Sequence, residues 1–199
     1  MPSDGERALG LRERKKARTR AAIQRHALRL FKEQGYDATT VSQIADAVEI
    51  SESTFFRYFP TKEAVVLWDE LDPAFEAAFR AQPPDIGPVA ALRAAMRAVF
   101  DRLPESELVE QRERWTLAMA IPQLRAAMVD QFTGAIDQIC GMVAERTSRR
   151  PDDFPVVALA GAIVGVVMAV VITAADDPSA DFIDLADRAF AQLEAGLPI

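Results

Sequence analysis

The sequence predicts an all-α protein of about nine helices, and three observations carry that expectation. Alanine, the strongest helix former, supplies 35 of the 199 residues. Apolar residues recur at three- and four-residue spacings along most of the chain. No convincing two-residue alternation is joined by an Asn-Gly or Asp-Gly turn, so hairpins are not expected.

The elements follow in order. Ile23, Ala27, Leu30, Phe31 and Gln34 share one face of a helix over about 16–34, which Gly35 closes. Thr40 caps a short helix over 41–48, with Gln43 three residues on in a capping-box pattern. Ser51 caps another over about 52–59, and Pro60 ends it. Thr61 opens a longer helix reaching residue 81, with Trp68, Leu71, Phe75 and Phe79 along one side. Pro83-Pro84 stop it. Helices over about 88–102, 105–120 and 122–149 are punctuated by Pro104, Pro122 and Pro151. An uncharged helix over 156–175 comes next, and Asp177-Pro178 lead to a last one with Phe182, Leu185, Ala186, Ala189, Phe190 and Leu193 aligned.

Composition narrows the function classes. Half the residues are apolar and 27% are charged, which is globular usage. A single Cys, Cys140, removes disulfide frameworks and Cys-based zinc sites, and it suits a reducing cytoplasm. A single His, His26, argues against His-rich metal centres and Ser-His-Asp chemistry. No cofactor, metal or catalytic residue is therefore expected; Glu105, Glu107, Glu110 and Glu113 form a charged helix face and nothing more. The net charge of −7, taken as one number, argues against nucleic acid. Its partition argues the other way, because residues 1–62 hold 12 Lys/Arg against 8 Asp/Glu and residues 63–199 hold 11 against 22. The densest basic run, Arg12 to Arg29, has eight Lys/Arg and one acid, although a solvated helix face would look the same.

The run 156–175 is long enough to cross a bilayer and carries a Gly161/Gly165 pair at GxxxG spacing. It is built on Ala, Gly and Val and is flanked by Asp152/Asp153 and Asp176/Asp177, with no Trp or Tyr at either end. A buried protein–protein helix is the favoured reading, with a membrane anchor or an interaction surface without DNA affinity as alternatives. Met1–Leu11 is polar and lacks the apolar core of a secretory signal, so a cytoplasmic protein is expected.

Residues 39–63, TTVSQIADAVEISESTFFRYFPTKE, carry the function. Two short capped helices separated by a three- to four-residue turn, packed by Val41, Ile44, Ala45, Val48, Ile50, Phe55 and Phe59, make a helix-turn-helix. Ala45 has to be small for the helices to approach, and Ile50 plugs the angle between them. The second helix then offers Glu52, Ser53, Thr54, Phe56, Arg57 and Tyr58 to a major groove.

The stretch IADAVEISESTFFRYFPTKEAVV resembles the signature of the TetR family of bacterial transcriptional regulators, whose usual pattern is IA..AGVS..T.Y..F..KE.L. The resemblance implies a DNA-binding domain over 12–60 and a helical regulatory domain over 61–199. It also implies a linker helix over 61–81 and a homodimer built from helices at about 154–175 and 179–195. Release from a double-stranded DNA operator on binding a small molecule is part of the same pattern. Carried onto this chain, Thr40 and Lys62 would grip phosphates from helix N-termini. Ser51, Ser53, Thr54 and Arg57 would face base edges, with Phe56 and Tyr58 against the sugar-phosphate backbone or a thymine methyl. Three positions depart from the pattern. Glu49 stands at the turn glycine, Ser53 at a second frequent glycine, and Phe56 at a usual tyrosine.

Around RERWTLAMAIPQLRA the second half resembles regulators that respond to acyl-CoA-type effectors, including those of mycofactocin clusters. Met96, Phe100, Trp115, Met119, Phe132 and Ile136 are candidate effector-lining residues, with Arg112, Arg114 and Arg125 available to an anionic ligand. Gly161, Gly165, Phe182, Leu185 and Phe190 are candidates for the dimer interface.

Overall fold

A computed structural model describes residues 4–68, 72–177 and 180–198, and within them the chain forms ten α-helices and no strand. It divides into two compact units, 1–68 and 69–199.

The first unit holds α1 (Asp4–Gln34), α2 (Val41–Ala47), α3 (Glu52–Tyr58) and α4 (Lys62–Leu67). Gly35, at φ 88, releases the chain from α1. Helices of six or seven residues are too short to persist alone. Each of these three is held by a side-chain N-cap: Thr40 for α2, Ser51 for α3 and Thr61 for α4. Ile23, Ala27, Phe31, Ile44, Ala45, Phe55, Phe59, Val65 and Val66 are buried and form the core beneath them.

The helix expected over 61–81 is two helices. Trp68, at φ −64 and ψ 128, leaves helical space. Its carbonyl accepts from Gln24 Nε2 at 2.8 Å, its ring meets Phe59 edge-on at 5.9 Å, and the Arg20 guanidinium lies over it at 5.8 Å. These contacts with α1 and α3 outweigh the local helical pattern, and α5 (Asp72–Arg80) begins the second unit. The expected division at 60/61 therefore falls after Trp68. Leu71 of the expected linker-helix face, and Pro178 and Ser179 ahead of the last helix, lie outside the described residues.

The second unit continues with α6 (Pro88–Phe100), α7 (Glu105–Ala120), α8 (Pro122–Thr147), α9 (Phe154–Asp176) and α10 (Phe182–Glu194). α9 packs between α8 and α10, and α6 lies against α5 and α10. Phe79, Leu92, Met96, Val143, Val156, Ile163 and Phe190 are central in its core. A polar clamp sits on this packing. Asp187 of α10 accepts from Arg93 Nε at 2.6 Å and Arg93 Nη2 at 2.7 Å, and from Arg97 Nε at 2.7 Å. The Arg93 hydrogen bonds outweigh burial and, with Arg97, hold the Asp187 carboxyl well below the usual carboxylate range. Arg146 on α8 donates to the Ile86 carbonyl at 3.0 Å and to that of Pro83, and covers the Phe79 ring, so the α5–α6 connection is tied down.

α9 is long and apolar enough to cross a membrane, yet only 33% of its most apolar stretch is buried. Val156, Ala160, Ile163, Val164, Val170, Val171 and Ala174 face inward. Phe154, Val157, Gly165 and Ile172 are exposed at helical spacing, with Phe154 80% exposed, and a Cβ added at Gly161 or Gly165 would meet nothing within 4 Å. Three expected interface residues pack within the unit instead: Phe190 is buried in the core, Phe182 stacks against Trp115 and Phe100, and Leu185 is half-buried against the same core. The amphipathic face of α10 covers α6 and α9, and its outer positions Asp184, Arg188 and Gln192 are polar.

Candidate nucleic-acid interface and effector cavities

The interface is built by capping. Thr40 Oγ1 accepts from Gln43 N at 3.2 Å, and Gln43 Oε1 accepts from Thr40 N at 2.9 Å, which completes a capping box. Gln34 reaches from α1 to the same place, donating to Gln43 Oε1 at 3.0 Å and Thr39 Oγ1 at 3.1 Å. The start of α2 is thus fixed to the end of α1. Glu49 then adopts φ 57 in the turn, the left-handed region that favours glycine, and Ile50 N returns to the Ala45 carbonyl at 3.0 Å. Glutamate thus occupies a left-handed position where the family pattern has glycine. The backbone strain falls on Glu49.

α3 has two faces. Phe55 is fully buried and Phe59 nearly so, which anchors the helix from beneath. Ser51, Glu52, Ser53, Phe56 and Arg57 are exposed, with Thr54 and Tyr58 half-buried at the margin. Phe56 is 49% exposed, although it meets Phe55 edge-on at 5.4 Å. Arg57 is exposed and lies over the Tyr58 ring at 5.5 Å, a contact that restrains its guanidinium. Ser51 is less available: its Oγ accepts from Thr54 N at 3.2 Å, lies 3.0 Å from Thr54 Oγ1 and 2.9 Å from Ser53 Oγ.

Lys62 departs from expectation. Its ammonium donates to the carbonyls of Tyr36 and Thr39 at 2.8 and 3.0 Å and sits 4.0 Å from the Tyr36 ring centroid. The side chain closes the α1–α2 connection onto α4. What Lys62 offers outward is its backbone N–H in the first turn of α4. Beside it, Tyr36 Oη donates to Glu63 Oε1 at 2.6 Å; burial, then this bond to a carboxylate, push the tyrosine pKa up. Glu63 is held low despite its burial, chiefly by the same hydroxyl. The Lys-Glu pair of the sequence motif is therefore a strut of this unit. Twenty-six residues separate Lys62 from Tyr36, so local spacing carried no sign of the contact.

In the second unit the six candidate effector residues do not line one pocket. A cavity of about 180 Å³ is lined by Met96, Phe100 and Trp115 among others. A second, of about 200 Å³, is lined by Met119 and Phe132 with Arg125, Met128 and Met168. Ile136 lines neither and packs against the core. Trp115 and Met119 are one turn apart on α7, yet they open on different cavities. Arg114 is buried and bonded to Gln111, and of the arginines considered Arg125 lines one of these two cavities.

Two family matches cover these units. Residues 23–67 match the bacterial regulatory proteins of the tetR family, and residues 86–198 match the MftR C-terminal domain. The chain belongs to the TetR family. It is a transcriptional regulator with a helix-turn-helix DNA-binding domain. TcmR, an HTH-type transcriptional regulator of Streptomyces glaucescens, is 48% identical over 101 residues, a stretch spanning 50% of this chain and 45% of that protein. MftR of Mycobacterium tuberculosis, named as a mycofactocin biosynthesis transcriptional regulator, is 28% identical over 187 residues, 92% of this chain and 93% of that one. Among solved structures, FadR of Thermus thermophilus, a TetR-family repressor in complex with lauroyl-CoA, superposes with a TM-score of 0.57 at 21% identity, covering 90% of this chain and 95% of that one. At that identity the likeness establishes the fold.

Proposed function

We propose that this TetR-family protein is a cytoplasmic repressor that binds a palindromic operator as a homodimer and is released by a small hydrophobic or acyl-type ligand. The observation that carries the DNA half is the two-faced α3, with Phe55 and Phe59 in the core and Arg57, Ser53 and Phe56 outward. Arg57 reads a guanine through O6 and N7, Thr54 and Ser53 contact neighbouring base edges, and Thr40 and the Lys62 backbone N–H position phosphates.

The dimer half rests on α9. An apolar stripe of Phe154, Val157, Gly165 and Ile172 is left uncovered. A second copy would bury it with close backbone approach at Gly161 and Gly165. Two recognition helices then meet half-sites spaced by a helical turn of duplex or a multiple of it. The same stripe would suit a lipid surface; recovery of untagged protein in detergent-free buffer excludes that alternative.

The deciding experiment is a mobility-shift titration on the DNA upstream of the protein's own gene, repeated on a scrambled duplex at several salt concentrations. A specific complex of two protomers, weakening as salt rises, is expected. Equal affinity for both duplexes sinks the operator reading.

A further inference from the structure

The chemistry of the first cavity restricts its occupant further than the reading above, on which this inference rests. Five aromatic rings, Phe75, Phe100, Trp115, Phe182 and Phe190, share its wall. Trp115 and Phe182 lie with ring centroids 3.9 Å apart at 37°, and Phe100 and Phe182 at 5.8 Å and 50°. Among the described lining residues none carries a charge, and Trp115 is the only one whose side chain has an N–H or O–H. No described residue accepts a hydrogen bond from that N–H.

Volume and charge both disfavour an acyl-CoA here. At about 180 Å³ the cavity is slightly larger than an apolar cavity of about 150 Å³ that admits benzene, and below the range of about 300–1,000 Å³ usual for drug-sized ligands. A coenzyme's phosphates would find no cation among the described residues of this wall. A flat conjugated molecule, in contrast, gains offset and edge contacts with ring after ring. One oxygen acceptor would give the indole N–H a partner that an aliphatic chain does not offer.

From these features we infer that the effector is an uncharged, planar aromatic compound carrying a carbonyl oxygen, held between the Trp115–Phe182 pair and the Phe75, Phe100 and Phe190 rings, with its oxygen on Trp115 Nε1.

The test is isothermal titration of the full-length protein with three probes: 1-tetralone, its saturated counterpart 1-decalone, and dodecanoate. Tetralone is expected to bind about tenfold more tightly than decalone and to quench tryptophan fluorescence, with dodecanoate no better than decalone. Trp115→Phe keeps a ring and removes the N–H; it should weaken tetralone severalfold and leave naphthalene, which has no acceptor, unaffected. Ala186→Met, checked for folding by its melting curve, fills the cavity and should abolish tetralone binding.

Decalone or dodecanoate binding as tightly as tetralone overturns the inference, as does the absence of any binding or tetralone binding that survives in folded Ala186→Met. A mobility shift with each probe separates this from the broader reading. Release by dodecanoate alone refutes the aromatic effector and leaves ligand-controlled release standing. Tetralone binding without release leaves the aromatic preference of the cavity standing and refutes its part in ligand-controlled release.

Discussion

The two units of this chain start most of their helices by different means. In the first, three helices of six or seven residues each start from a hydroxyl cap, Thr40, Ser51 or Thr61. In the second, α6, α7, α8 and α9 run 13 to 26 residues with no side-chain cap hydrogen bond, and three of them place proline in the first turn; α10 is the exception, capped by Asp181. Short helices gain too little from their own ladders, so local polar bonds have to fix where they start. Long ones are held by buried area and need only a residue that tolerates the first turn. A recognition helix benefits from the first arrangement because its register must not slip. A ligand chamber benefits from the second, since apolar side chains repack around an occupant more readily than hydrogen bonds rearrange.

The sharpest way to break this contrast is at the surface that the second unit leaves uncovered. Gly165→Leu has open space for its side chain, and leucine is the better helix former, so the protomer should still fold cooperatively, melting below the wild type only by what the dimer contributes. The dimer should be lost in sedimentation, and operator affinity should fall on the order of 100-fold as the second half-site contact disappears. An intact dimer in that variant refutes the α9 interface.

Arg57→Ala probes the first unit where it meets DNA. A loss of about 1–3 kcal/mol on the operator is expected, with little change on random duplex. An equal loss on both, measured by competition titration, would reassign Arg57 to phosphate.

Asp187→Asn tests the polar clamp of the apolar unit. Loss of the charge-assisted bonds from Arg93 and Arg97 should cost about 2 kcal/mol in denaturant unfolding at neutral pH. Because folding lowers this carboxyl's pKa, its contribution is fully present above the unfolded value of about 3.9 and lost as pH falls below it. The gap between wild type and variant should therefore close in acid. A pH-independent gap means the side chain acts by packing alone.

The smallest effect is expected at Glu49. Glu49→Gly relieves a positive φ and should raise stability by about 1 kcal/mol, and removing the charge should tighten DNA binding at low salt. Unchanged thermal unfolding would show that the turn tolerates the side chain without cost.

The contrast between the units also explains which features are legible in the amino-acid sequence. Caps, the turn at Glu49 and the burial of Phe55 and Phe59 all lie within a few residues of the groups that cause them, so residues 40–59 are legible from local spacing. The regulatory half shows its helices through proline and apolar spacing, but not their partners. Phe182 and Phe190 look like interface residues because an apolar helix face does not say what covers it. Likewise, the six candidate effector residues are divided between two cavities and the core by the packing of α6, α7, α8 and α10.

The sequence by itself determined the helical class, the helix-turn-helix with its caps, and the charge partition that marks the first unit as the DNA-reading one. Only the tertiary structure decided that Lys62 braces Tyr36 and Thr39, that the chain breaks at Trp68, and that Arg93 and Arg97 grip a carboxylate some ninety residues away. The reason is range. Capping and turn strain act between neighbours along the chain, whereas the orientation of a face, the floor of a cavity and the partner of a buried charge depend on residues that folding alone brings together.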